Sequence, residues 1–156
     1  MKSINECIEE EGINVIFFRK EMGKTFSLTS DTRFSCKIIS IDNCVFQNSV
    51  LRRCDFLFLV SKTHENVILQ SSLQAFYVEL KGVNIQYACE QLYNAIRDTK
   101  REIVNYSIEA RVISIKGFQP NIANNEYFRK VKKLIKKEIV FHKVHKGNNF
   151  TYTHII

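Results

Sequence analysis

Hydrophobic positions along the chain change their spacing several times, and each change predicts a new element. INVIFFR at 13–19, FSCKIISIDNCVF at 34–46 and CDFLFLV at 54–60 are rich in Ile, Val and Phe and read as strands. A polar stretch from Ser61 to about Gln74 leads from the third of these into a fourth strand at 75–81. Over 84–104 the period lengthens: Ile85, Ala88, Cys89, Leu92, Ala95 and Ile96 form one stripe at helical spacing. SIEARVISIK at 107–116 alternates again as a strand. A loop with Pro120 follows, then a basic helix at about 124–137. At the start, residues 3–11 read as a short acidic helix, with Ser3 as N-cap, Glu6 three residues on and a stop at Gly12. At the end, 139–145 and 150–155 flank KGNN and predict a β-hairpin.

This mixed order predicts an α/β fold: a central mixed β-sheet flanked by helices, closed by the basic helix and the hairpin. The 156 residues fit one domain over 1–156 with a substantial core, for which twelve Phe and six Tyr supply the bulk. One Pro and five Gly leave little material for linkers, so no internal boundary is expected.

Charge changes the picture. The net charge is +7, but Glu6, Glu9, Glu10 and Glu11 stand against Lys2 at the start, while the basic residues gather late. In the basic helix Phe128, Val131, Leu134 and Ile135 make an apolar stripe that docks on the core. Lys130, Lys132, Lys133, Lys136 and Lys137 then face outward, either as a surface for a nucleic acid or as a plain solvated face. No apolar run approaches the ~20 residues of a membrane span, and the acidic N-terminus is not a signal peptide. Five cysteines without CxxC or zinc-ligand spacing predict reduced thiols in a cytoplasmic protein. Covalent catalysis finds no support, since there is no GxSxG. Gly23-Lys24-Thr25 lacks the earlier glycine of a phosphate-binding loop, with Phe18 in its place, and reads as a turn. His142 and His145 would face oppositely on a strand, and His64 is read as a loop histidine.

The stretch FYVELKG carries the main chemical signal. Alternation places Phe76, Val78 and Leu80 on one face and Tyr77, Glu79 and Lys81 on the other. Asp55 opens the preceding apolar strand, so if the two strands are neighbours it lies close to Glu79. Two carboxylates make a hard oxygen site for Mg²⁺, and a nearby ammonium can orient a water or neutralise charge on a phosphorane. Such a grouping suits phosphodiester cleavage.

Asp55 followed by Glu79-Leu80-Lys81 on the next strand resembles the PD-(D/E)xK nuclease superfamily, over about residues 34–116. RRCDFLFLV, FYVELKG and ACEQL together look like a small stand-alone branch of it. The resemblance implies a restriction-endonuclease-like core and a DNA nuclease that uses Mg²⁺ or Mn²⁺. It makes Asp55, Glu79 and the carbonyl of Leu80 the metal ligands, and Lys81 the residue that positions the attacking water. It adds a Glu from the N-terminal helix, for which Glu6 and Glu10 are candidates, and a Gln from the helix after the motif, Gln91 before Gln86. Cys54 stands where the superfamily's name has Pro. Asp98-Thr99-Lys100 fits the same short pattern but lies late on a helix, where a solvated face is expected. Arg53 is either a phosphate contact or an exposed salt-bridge residue, and Tyr77 either touches substrate or fills space. Cutting both strands of a duplex would favour a homodimer. The alternative is a non-catalytic nucleic-acid-binding or protein-interaction module of the same fold, or an accessory subunit with a protein partner.

Overall fold

The computed structural model describes residues 1–21, 23–47, 50–64, 67–81, 84–144 and 151–156, without the side chains of 62–64, 67–72, 81, 151 and 152. The strands are β1 (Ile8–Glu21), β2 (Lys24–Ser40), β3 (Phe56–His64), β4 (Val67–Lys81), β5 (Ser107–Ser114), β6 (Ile139–Lys143) and β7 (Thr151–Ile155). Helix α1 (Ile85–Thr99) joins β4 to β5, and α2 (Glu126–Ile135) joins β5 to β6. Together the strands form a mixed seven-stranded sheet of order β1-β2-β3-β4-β5-β6, with β7 added beside β2. β1 to β4 are successively antiparallel, while β5 runs parallel to β4 and β6 parallel to β5. Each parallel step needs a crossover, and α1 and α2 supply them.

Both helices pack on the same face of the sheet. Ala88, Leu92 and Ala95 of α1 and Phe128 and Val131 of α2 share a core with Leu57, Tyr77 and Val112. The opposite face is covered by strands instead. Phe76, Val78 and Leu80 there join Phe26, Leu28, Phe34 and Phe58 in a second core. A sheet buried on both faces explains why FLFLV and AFYV are apolar at consecutive positions rather than at alternate ones.

A bend in β2 makes this possible. Asn14 pairs with Phe34 and Ile16 with Thr29, so residues 30–33 bulge out of the ladder. The Phe26 and Phe58 rings lie edge to face, 5.2 Å between centroids, although Phe58 is paired with Ile38. A straight strand from Phe26 to Ile38 would run roughly 40 Å at ~3.3 Å per residue. The first half of β2 therefore folds back over the sheet, and β7 comes with it: His154 of β7 packs its ring 5.4 Å from that of Phe76.

Several expectations are corrected. The predicted helix 3–11 is a 3-10 turn, Ile4–Cys7, closed by the Ser3–Glu6 capping box. Residues from Ile8 onward pair with β2 instead, as the edge strand of the sheet, so the helix ends after one turn. Residues 34–46 leave the sheet at Ser40 and form a π-helical turn, Ile41–Val45. The predicted C-terminal hairpin does not form, since β6 pairs with β5 and β7 with β2. The KGNN turn and His145 lie outside the described residues. Helices flank one face only. Cys7 and Cys44 are not reduced thiols but a disulfide, with Cα atoms 5.7 Å apart, joining the 3-10 turn to the π-helical turn. Cys36, Cys54 and Cys89 are free and buried. Burial is the first cause that pushes the Cys36 and Cys89 thiols up to about 12. No helix among the described residues is long and apolar enough to cross a membrane.

Candidate active site

Asp55 immediately precedes β3. The β3–β4 register pairs Phe56 with Val78, so one step back brings Asp55 level with Glu79. Asp55 Oδ2 accepts the Leu80 backbone N–H at 2.7 Å, and the Asp55 carbonyl accepts the Ile41 N–H at 3.0 Å. The aspartate is thus tied to the Glu79-Leu80-Lys81 segment itself. In the candidate ligand set it is the Leu80 carbonyl that the resemblance offers; the Leu80 N–H serves to hold Asp55.

Glu79 is 1% exposed and sits on the helix side of β4, in alternation with Tyr77 and opposite Val112 of β5, both of that core. The thiol of Cys54 registers how close the acids are. Burial pushes it well up, and Glu79, Asp55 and Asp42 add to the effect in that order. Three carboxylates therefore act on one buried sulfur. Lys81 ends β4 opposite Ser114 on β5, and its side chain lies outside the described residues, as does that of His64.

Helix α1 holds the loop that carries Asp55. Gln91 Nε2 donates to the Arg53 carbonyl at 2.9 Å, and Asn94 Nδ2 donates to the Arg52 carbonyl at 3.4 Å. One turn further, Asp98 Oδ2 accepts Arg53 Nη2 at 2.7 Å. The Arg53 N–H donates to Asp42 Oδ1 at 3.0 Å, and its guanidinium stacks 3.8 Å from the centre of Phe46. Gln91 therefore holds the chain at Arg53, two residues upstream of Asp55. Arg53 is a buried salt-bridge residue rather than an exposed one.

Asp98 is no solvated helix residue either. Burial raises its pKa, but Arg97 and Arg53 outweigh that and hold the carboxyl below its ordinary range. Its neighbour Thr99 is fully buried, 2.6 Å from the Tyr77 hydroxyl. Tyr77 fills the core; burial raises its pKa.

The remaining candidates are placed elsewhere. Glu6 Oε2 accepts the Ser3 N–H at 2.8 Å in the capping box. Glu10 is on β1, 2.6 Å from Arg19, so the expected helical relation between Glu6 and Glu10 is lost. On α2, Lys130 pairs with Glu126; Lys132 Nζ is 2.6 Å from Glu138, and Lys137 Nζ lies 3.5 Å from Glu109 beyond the helix end. Lys133 and Lys136 are exposed. Much of the basic charge there is matched within the fold.

Sequence reasoning missed Asp42 and Asn94 and set Asp98 aside as part of a solvated helix face. A signal for two of them exists: Gln91, Asn94 and Asp98 recur at helical spacing, a polar line beside the apolar stripe. Asp42 had none, because only the chain's turn after Ser40 brings it to Arg53. Among the described residues no group of three or more His, Cys, Asp and Glu is arranged to hold a metal ion. Compared with protein-family models, with curated proteins and with solved structures, the chain matches none.

Proposed function

We propose that the protein is a metal-dependent nuclease that hydrolyses DNA phosphodiester bonds at Asp55, Glu79 and Lys81. The observation that carries this reading is the hydrogen bond from the Leu80 N–H to Asp55, which ties the first acid to the centre of the Glu-Leu-Lys segment. An antiparallel strand pair with an acid at the head of one strand and Glu-x-Lys at the end of the next, followed by a helix bearing Gln91, agrees with the restriction-endonuclease-like core that the sequence resembles.

The donor set fits a hard divalent cation. Asp55 and Glu79 supply carboxylate oxygens, and Mg²⁺ needs only one or two carboxylates when waters and phosphate oxygens complete its shell. Such an ion supplies Lewis-acid polarisation of the phosphoryl group and a more acidic bound water. The chain does the rest. Asp55 and Glu79 would hold the ion at the strand ends, Lys81 orients the water and offsets charge on the phosphorane, and Gln91 sets the Arg53–Asp55 loop.

A second reading is a non-catalytic nucleic-acid-binding or protein-interaction module, or an accessory subunit. The burial of Glu79, at 1% exposure, favours it, because a ligand must reach that carboxylate. Supercoiled plasmid incubated with Mg²⁺ or Mn²⁺ separates the two. Nicking that disappears in Glu79→Gln supports the nuclease; wild-type protein that never nicks under either metal leaves the binding module.

A further inference from the structure

A cleft of about 780 Å³ opens at the C-terminal end of α1, lined by Arg53, Arg97, Asp98, Lys100 and Arg101, with Phe46, Gln47 and Leu134 among its walls. Four cationic side chains face a single carboxylate. Asp98 takes both Arg53 and Arg97, so these three already leave a positive surplus. Lys100 and Arg101 then add theirs, with no acid within salt-bridge distance of either among the described residues. Glu102, next in sequence, is used elsewhere: its Oε2 accepts from Ser3 and Ile4.

The ordinary role for cations here is to offset the negative end of the helix dipole. That accounts for Lys100 and Arg101 but not for Arg53, which reaches the cleft from a different segment. It is held there by Asp98 and the Phe46 ring, almost wholly buried. Arg53 Nη1 also donates to the Leu51 carbonyl, so its guanidinium supplies fixed positive charge behind Arg97, Lys100 and Arg101, and such a cluster attracts phosphate oxygens.

The cleft is joined to the candidate site through one short loop. The Arg53 main chain is pinned at Gln91 and its guanidinium at Asp98, two turns along α1. That separation is roughly 10 Å at ~1.5 Å per residue. It corresponds to about three nucleotides of duplex rise at ~3.4 Å each.

We infer that this cleft is a second anion site, which takes backbone phosphates of a nucleic-acid strand that lies with another phosphate, about three nucleotides along, at the Asp55–Glu79 site. The inference rests on the nucleic-acid reading above. It shifts the main footprint from the α2 lysines, several of which are paired, to Arg97, Lys100 and Arg101.

The test is fluorescence anisotropy of a labelled 20-nucleotide duplex and its single strand, in EDTA so that no cleavage occurs, at several salt concentrations. Lys100→Glu/Arg101→Glu is compared with wild type and with Lys133→Glu/Lys136→Glu, with Lys100→Ala/Arg101→Ala as the milder pair should charge reversal impair folding. The expected result is at least a tenfold weaker affinity for the cleft variants and a salt slope shallower by about two. The α2 pair is expected to change affinity by less. Cleft variants that bind as wild type overturn the inference, as does a wild type that binds inorganic phosphate but no oligonucleotide. Cleft-dependent binding without plasmid nicking would sink the nuclease and leave the phosphate site standing; nicking with unaltered binding in the cleft variants would do the reverse.

Discussion

The carboxylate of Asp98 holds the guanidinium of Arg53 across 45 residues of sequence, 2.7 Å between Oδ2 and Nη2. Arg53's side chain is 7% exposed and Asp98's 18%, so the pair is nearly buried. Removing the acid strands a charge. Asp98→Asn is expected to cost about 2–3 kcal/mol in urea unfolding, below the ~3–5 of a fully buried pair because Asp98 keeps some solvent. The depressed pKa of Asp98 sets the pH window. Its contribution is complete above the ordinary value of 3.8 and is lost as pH falls through the lower folded value. The difference between wild type and Asp98→Asn should therefore be full at pH 7 and shrink in strong acid.

Glu79 and Asp55 are expected to separate activity from folding. Glu79→Gln keeps shape and removes the charge, so it should reduce plasmid nicking at least 100-fold with the thermal midpoint preserved or raised. Asp55→Ala also loses the bond to the Leu80 N–H, and should cost about 1–3 kcal/mol besides abolishing nicking. Equal nicking by Glu79→Gln and wild type would remove Glu79 from the chemistry.

Acid should weaken the β5–β6–β7 contact. Arg111 lies 3.5 Å from Nε2 of both His142 and His154. Burial, then Arg111 and His154, bring His142 from 6.5 to about 4. His154 is lowered by burial and Arg111, with Glu109 opposing. Because both folded values lie below the unfolded one, the unfolded chain takes up protons first. Stability should decline as pH falls from about 6.5 toward about 4, with no further loss from His142 below that. Urea midpoints at pH 7 and pH 5 measure the slope, and His142→Gln/His154→Gln should flatten it.

The Cys7–Cys44 disulfide predicts a thiol count. Denatured without reductant, the chain should expose three thiols to a colorimetric titrant, from Cys36, Cys54 and Cys89, and five after reduction. In the native state those three should react slowly, since they are buried. Closing a loop across a separation of 37 residues corresponds to at most about 4 kcal/mol of chain entropy, so Cys7→Ser/Cys44→Ser should lower the urea midpoint clearly.

Local pattern was enough to place the central elements. Continuous apolar runs gave the cores of β3 and β4, alternation gave β5, and the stripe from Ile85 to Ile96 gave α1, because burial on two faces, one face or one stripe each leaves its own pattern in the letters. Strand alternation put Glu79 on the face opposite Phe76, Val78 and Leu80, and the order of strands made Asp55 and Glu79 neighbours. Pattern could not say how β2 bends at residues 30–33, since a bulge is chosen by what the two halves pack against. It could not pair β7 with β2 rather than with β6, because any strand of similar composition offers the same backbone donors and acceptors. Nor could it bring Cys7 to Cys44, Asp42 to Arg53, or Arg53 to Asp98, each a contact between segments distant in sequence. Those meetings are decided by chain path, and chain path is settled by the simultaneous burial of two sheet faces, a condition no single window of sequence contains.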